Sequence, residues 1–173
     1  MRTQAIILKK IPFKEHDQLV GCYTREAGKQ TYQAKSIMRA HSKQASHLDL
    51  LNMADFSLVH GAGYPIITSA ISLRTFPGIK NSIRALAVSH VILECFDRLV
   101  FENQPDPHLW DFLNSELAHY EEKAVDANAA WGFILGVTQR KLLEALGYDE
   151  SASIEHLVGG RLQSLHFIQK MLS

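Results

Sequence analysis

A chain of 173 residues with 46% apolar side chains can bury the core of one or two compact domains, and 21% charged residues is too ordinary a share to indicate disorder. Apolar runs are too short for a membrane span, and the run Ala5-Ile6-Ile7-Leu8 before Lys9 and Lys10 is too short for a secretory signal, so a cytoplasmic protein is expected. A net charge of zero conceals a division of sign: residues 1–84 carry twelve Lys/Arg against five Asp/Glu, or +7, and residues 85–173 carry six against thirteen, or −7. A positive potential of that kind attracts polyanions.

Residues 3–11 predict a first strand that stops at Pro12, which cannot donate to a ladder. Leu19 to Thr24 is a second short run rich in strand formers, ended by Arg25-Glu26-Ala27-Gly28, where Gly28 can supply the positive φ of a hairpin turn. The third strand alternates strictly, with Lys29, Thr31, Gln33 and Lys35 on one face and Gln30, Tyr32, Ala34 and Ser36 on the other. Neither face is strongly apolar, so at least one is expected to be wet. Residues 37–52 mix Arg39, His41, Lys43 and His47 with Ser and Gln, the composition of an exposed loop or short helix. Asp55 to His60 alternates again, Gly61-Ala62-Gly63 turns the chain, and Tyr64 to Phe76 reads as a long last strand. Five strands with one long excursion after the third predict a small closed barrel of the OB type over residues 1–76.

At Pro77-Gly78 the apolar period changes from two to about 3.6, and residues 77–173 predict an all-α helical bundle. One helix is expected from Ile79 to Phe101, apolar around most of its circumference, with Glu94 and Arg98 paired on its wet edge. Asp106-Pro107 starts a second helix, a third runs from about Asp126 to Leu146 and stops at Gly147, and a last short one offers Leu162, Leu165, Ile168 and Leu172. The fold class is therefore α+β, a five-stranded barrel followed by helices.

Signals of catalysis are weak. The nine histidines are scattered, with no His-Glu-x-x-His spacing, and Cys22 and Cys95 are too few for a four-thiolate zinc site. No Walker-type loop or dinucleotide fingerprint exists, so no enzyme, cofactor or metal is expected. The basic residues Lys9, Lys10, Lys14, Arg25, Lys29, Lys35, Arg39 and Lys43 fall at strand ends, on the third strand or in the 37–47 loop, where an OB barrel meets nucleic acid. Tyr32 and Tyr23 are the candidates for base stacking, although a tyrosine in a small barrel also fits the core.

Several of these residues together resemble the bacterial recombination mediator RecO family. The likeness lies in Ile6-Ile7-Leu8-Lys9-Lys10, Lys14-Glu15-His16-Asp17, Tyr23-Thr24-Arg25-Glu26-Ala27-Gly28-Lys29 and the basic stretch Lys35 to Ser46, with Leu142 to Tyr148 similar to the end of the family's central helices. The resemblance implies an OB domain that binds single- and double-stranded DNA, anneals strands, and with RecR helps RecA displace single-strand-binding protein. It implies no enzyme and no nucleotide. Many family members carry a four-cysteine zinc motif after the segment matching Leu146-Gly147-Tyr148, and this chain has no cysteine beyond Cys95, so a short form without structural zinc is expected. A protein-interaction adaptor is the rival expectation, with the barrel as scaffold and the acidic helices docking a partner through the apolar face around Leu165.

Overall fold

The alternating start of the chain forms three antiparallel strands in the computed structural model, which describes residues 1–149, 151–165 and 168. Strands β1 (Arg2–Phe13), β2 (Asp17–Thr24) and β3 (Gly28–Ala34) follow one another through tight turns, and β4 (Met53–Val59) and β5 (Ile66–Arg74) complete a closed barrel of order β1-β2-β3-β5-β4. This is the five-stranded OB-type barrel the sequence predicts, and helices follow it. β1 is long because it serves two neighbours, pairing with β2 over Ala5–Phe13 and with β4 over Arg2–Ile6. The register slips between Ile7 and Lys9, where Leu8 is the extra residue, and such a bulge bends a strand around a barrel. Inside lie Ile7, Val20, Tyr32, Phe56, Leu58 and Ile67. β5 pairs with β3 only at Gln33–Ile66 and Ala34–Ile67, in parallel.

The excursion after β3 is neither a helix nor simply exposed. Residues 36–51 run through successive turns, and Ile37, Leu48 and Leu51 are buried, as apolar anchors under a polar covering. Backbone bonds Leu51 N→Ile7 O and Ile7 N→Asn52 O, both 3.1 Å, fasten its end to β1.

Two compact units divide the chain: Met1–Thr75 together with Phe101–Pro107, and Phe76–Val100 together with the chain from His108 onward. The short segment 101–107 is thus a strap on the barrel. Beyond the point where β5 leaves it, β3 would present bare backbone at Lys29, an edge that invites wrong pairing. Glu102 bridges to Lys29 there, Asn103 N donates to Lys29 O at 3.1 Å, and Gln30 Nε2 donates to Asn103 Oδ1 at 3.1 Å. With the strap included, the barrel unit carries ten Lys/Arg against seven Asp/Glu, or +3, because Glu102 and Asp106 come with it.

The second unit contains α1 (Pro77–Asn81), α2 (Ile83–Leu99), α3 (Pro107–Lys123, whose first residue belongs to the strap), α4 (Trp131–Ala145) and α5 (Ile154–Leu157). The single helix expected from Ile79 to Phe101 is broken at Ser82, which is extended (φ −109°, ψ 111°) and whose hydroxyl accepts from Ala85 N. Serine competes for backbone bonds in this way and favours caps over helix interiors. Glu94 and Arg98 form the expected pair at 3.0 Å. Glu94 also accepts from Gln163 N and Ser164 N at 2.9 Å, and Glu121 accepts from Gly78 N and Ile79 N at 2.8 Å. Leu162 and Ile168 are buried and Leu165 is half-buried, so those residues form no exposed docking face of the kind the adaptor reading needs; Leu172 lies outside the described residues. No described helix is long and apolar enough to cross a membrane.

Gly136 lies inside α4, exposed, and a Cβ there would meet nothing within 4 Å. Gly136→Ala should therefore raise unfolding free energy by about 0.5–1 kcal/mol, because alanine loses less backbone entropy in a helix. Urea unfolding followed by circular dichroism checks this, and a lower midpoint would show that the site is not open.

Candidate nucleic-acid interface

Strand alternation decides where each cation of the barrel goes. Val20, Cys22, Tyr32 and Ala34 belong to the core, so their sequence neighbours Gly21, Thr31 and Gln33 belong to the outer face of β2 and β3. Lys9 pairs with Gly21, which pairs with Thr31, so Lys9 is on that outer face. Its aliphatic stem lies across Gly21: a Cβ on the glycine would stand 2.8 Å from Lys9 Cγ. Lys29 pairs with Tyr23 on the same face, beside the strap. Lys10 pairs with Val20 on the opposite face, and its ammonium donates to Asp49 Oδ1 at 3.3 Å. The adjacent lysines of β1 therefore diverge.

Tyr32 does not belong to an interface. It is 1% exposed and meets Phe56 edge to face at 6.2 Å, so no base can reach its ring. Tyr23 is fully buried on the outer face, and its hydroxyl donates to the strap carbonyl of Asp106 at 3.3 Å. Burial pushes both phenols up. The structure thus corrects the expectation of stacking on either tyrosine.

Arg25 lies in the β2–β3 turn, just past the end of β2 opposite Asp17, and the strand between spans roughly 23 Å at the usual rise per residue. It shares that end with Lys29 and the strap. The other end is built from three connections tied together by hydrogen bonds. Asp17 accepts from Ser36 N and from Gln33 Nε2, each at 2.7 Å, which joins the start of β2 to the chain leaving β3. Met38 N donates to His16 O at 3.1 Å, and Gln33 N donates to Pro65 O at 2.8 Å, bringing in the β4–β5 loop. The Ser36 amide is the main force holding the Asp17 carboxyl below the usual carboxylate range, with smaller help from Gln33, Lys14 and Lys35. Lys14 and Ser36 both adopt left-handed backbone, φ 54° and 53°, a strain that persists only where surroundings enforce it.

Lys14, Lys35, Arg39 and Lys43 are exposed along this tied end. Lys14 lies over the Phe13 ring, 5.2 Å from its centroid. Arg39 follows the residue bonded to His16, and Lys43 precedes Gln44, whose amide donates to Thr68 O of β5 at 2.9 Å. Arg25, Arg39 and Lys43 have no ion-pair partner among the described residues. Four of the eight predicted cations are thus gathered at the β1–β2 end, while Arg25 and Lys29 sit at the strap end with Lys9 on the face between. The same tied end holds a residue the sequence reading assigned to a strand. Tyr64 belongs to the β4–β5 loop, is 42% exposed, and meets Phe13 at 6.2 Å with ring planes at 87°. Pro65 was the available signal, since proline restricts the residue before it and suits the start of a strand better than its interior.

Among the described residues no three His, Cys, Asp or Glu side chains are grouped so as to hold a metal ion. Burial pushes both thiols up, Cys95 to about 12, which suppresses the reactive thiolate.

Residues 1–76 match the family model described as "Recombination protein O N terminal". Over 147 residues the chain is 29% identical to the DNA repair protein RecO of Roseiflexus sp. (strain RS-1), covering 85% of this chain and 50% of that one. Over 118 residues it is 33% identical to the DNA repair protein RecO of Streptococcus pyogenes serotype M49 (strain NZ131), covering 68% of this chain and 46% of that one. The chain thus spans about half the length of the curated relatives it matches.

Proposed function

The chain belongs to the RecO family through its barrel, and on that premise we propose that it is a non-enzymatic DNA-binding protein of DNA repair and homologous recombination. One observation carries the reading: Lys14, Lys35, Arg39 and Lys43 line one tied end of an OB barrel, where this fold receives oligonucleotides. Cations held there neutralise phosphates and release condensed counterions. Lys9, Lys29 and Arg25 extend the positive surface toward the strap, and Lys10 adds charge that Asp49 already offsets. Neutralising two strands at once lowers their mutual repulsion, which is how the protein assists annealing. In the same reading both single- and double-stranded DNA bind, and RecR, RecA and single-strand-binding protein are the partners through which strand exchange is begun at gaps. No step asks for a nucleotide or a metal.

Fluorescence anisotropy of a labelled single strand across a salt series tests this. If about 4–6 phosphates are neutralised, log K should fall with log salt at a slope of about −3 to −4. Binding that ignores salt, or no binding to either form of DNA, would remove the proposal.

A further inference from the structure

We propose that Tyr64 stacks on an unpaired base and makes this end of the barrel favour single strands over duplex; this rests on the DNA-binding reading above. Of the barrel tyrosines in its walls, Tyr23 and Tyr32 are 0% and 1% exposed, whereas Tyr64 in the β4–β5 loop is 42% exposed. Its aromatic neighbour Phe13 stands edge to face, a contact that supports the rings without covering both sides of each. Lys14 lies over the same Phe13, so a cation stands beside the aromatic pair, within reach of the phosphate that flanks a stacked base.

The loop is held in place before any ligand arrives. Pro65 O, directly after Tyr64, accepts from Gln33 N of β3 at 2.8 Å. At Gly61 a Cβ would stand 2.2 Å from Tyr64 O, so the loop folds tightly back over a residue without a side chain. Prior ordering of this kind lowers the entropy lost on binding. The chemistry is selective in one direction. Every base has a face to stack on, which makes the contact tolerant of sequence, but in a duplex those faces are already covered by their neighbours. Phosphate contacts carry no such distinction. Lys14, Lys35, Arg39 and Lys43 therefore hold either form of DNA, and Tyr64 adds affinity only for unpaired bases.

The test measures wild type, Tyr64→Ala and Tyr64→Phe against three labelled ligands at one low salt concentration: oligothymidine, an abasic sugar-phosphate oligomer of equal length, and a duplex. Tyr64→Ala should weaken oligothymidine binding by about 5- to 100-fold and change abasic and duplex binding by no more than about twofold. Tyr64→Phe should behave as wild type, and the salt slope should be the same in all three proteins. Wild type should also prefer oligothymidine to the abasic oligomer by a similar factor, a comparison that needs no variant. Equal affinity of wild type for those two ligands, or an equal loss on both in Tyr64→Ala, overturns the stacking role while leaving phosphate binding intact. Failure of wild type to bind any of the three ligands sinks the DNA-binding reading itself.

Discussion

Replacing Lys35, Arg39 and Lys43 together by alanine is expected to weaken DNA binding by about 100-fold at low salt, counting about 1 kcal/mol for each cation held next to an anionic surface. The slope of log K against log salt should become shallower by about 2, since each lost phosphate contact on a single strand removes about 0.7. All three side chains are exposed, and none makes a hydrogen bond or close ion pair among the described residues, so truncation leaves the backbone bonds of the loop in place. The loss should be alike for homopolymer and mixed sequences, because phosphate contacts position a strand without reading it. The control is the pair Lys10→Ala with Asp49→Ala. These partners lie 3.3 Å apart, and removing both leaves net charge unchanged. Affinity and slope should stay near those of wild type. If the triple variant keeps its full slope, the phosphates are held elsewhere, by Lys14 at the same end or by Arg25, Lys29 and Lys9 toward the strap.

That grouping of cations was only partly legible from alternation. The pattern of β3 shows which residues share a face, Lys29 with Thr31 and Gln33, Tyr32 with Ala34. It does not show which face is inside when both are nearly equally polar. Register decides that: Tyr32 pairs with Val20 and joins the core, and Gln33 goes outward, where Asp17 and Pro65 cover it. The bulge at Leu8 is a second case. It breaks the alternation of β1, so that Lys9 rather than Lys10 joins the outer face, and nothing in Ile6-Ile7-Leu8 announces it. Ile37, Leu48 and Leu51 were hidden by composition, because three anchors are few among the polar residues that surround them. The strap was invisible for a different reason. Its partner on β3 lies 73 residues earlier in the chain, and no local period reports a contact of that span. The strand count, the hairpin at Gly28 and the onset of helix at Pro77 were readable because each depends on neighbouring residues alone.

Gly28 joins the local signal to the distant one, and substituting it should cause the largest loss of stability in the barrel. Its φ is +69°, a left-handed value that costs other residues about 1–2 kcal/mol. A Cβ there would also stand 2.2 Å from Gln104 O and 2.5 Å from Gln104 C, both backbone atoms of the strap. Backbone cannot rotate aside as a side chain can, so the strap must move. Its bonds at Asn103 N, Asn103 Oδ1 and Asp106 O would then loosen from Lys29, Gln30 and Tyr23. Gly28→Ala should cost about 2–4 kcal/mol, in the range that backbone strain with lost contacts produces. Gly28→Asn separates the two causes. Asparagine tolerates left-handed backbone, so it should recover stability if φ alone matters and little if the strap is the obstacle. We expect little recovery. Gly63→Ala is the reference, since a Cβ there meets nothing within 4 Å, and it should change stability by no more than about 0.5 kcal/mol. Denaturant unfolding of the three variants, with hydrogen exchange at Asn103 and Lys29 to follow the strap, measures all of this. A Gly28→Ala protein as stable as Gly63→Ala would mean that residues 101–107 do not hold the edge of β3 against displacement.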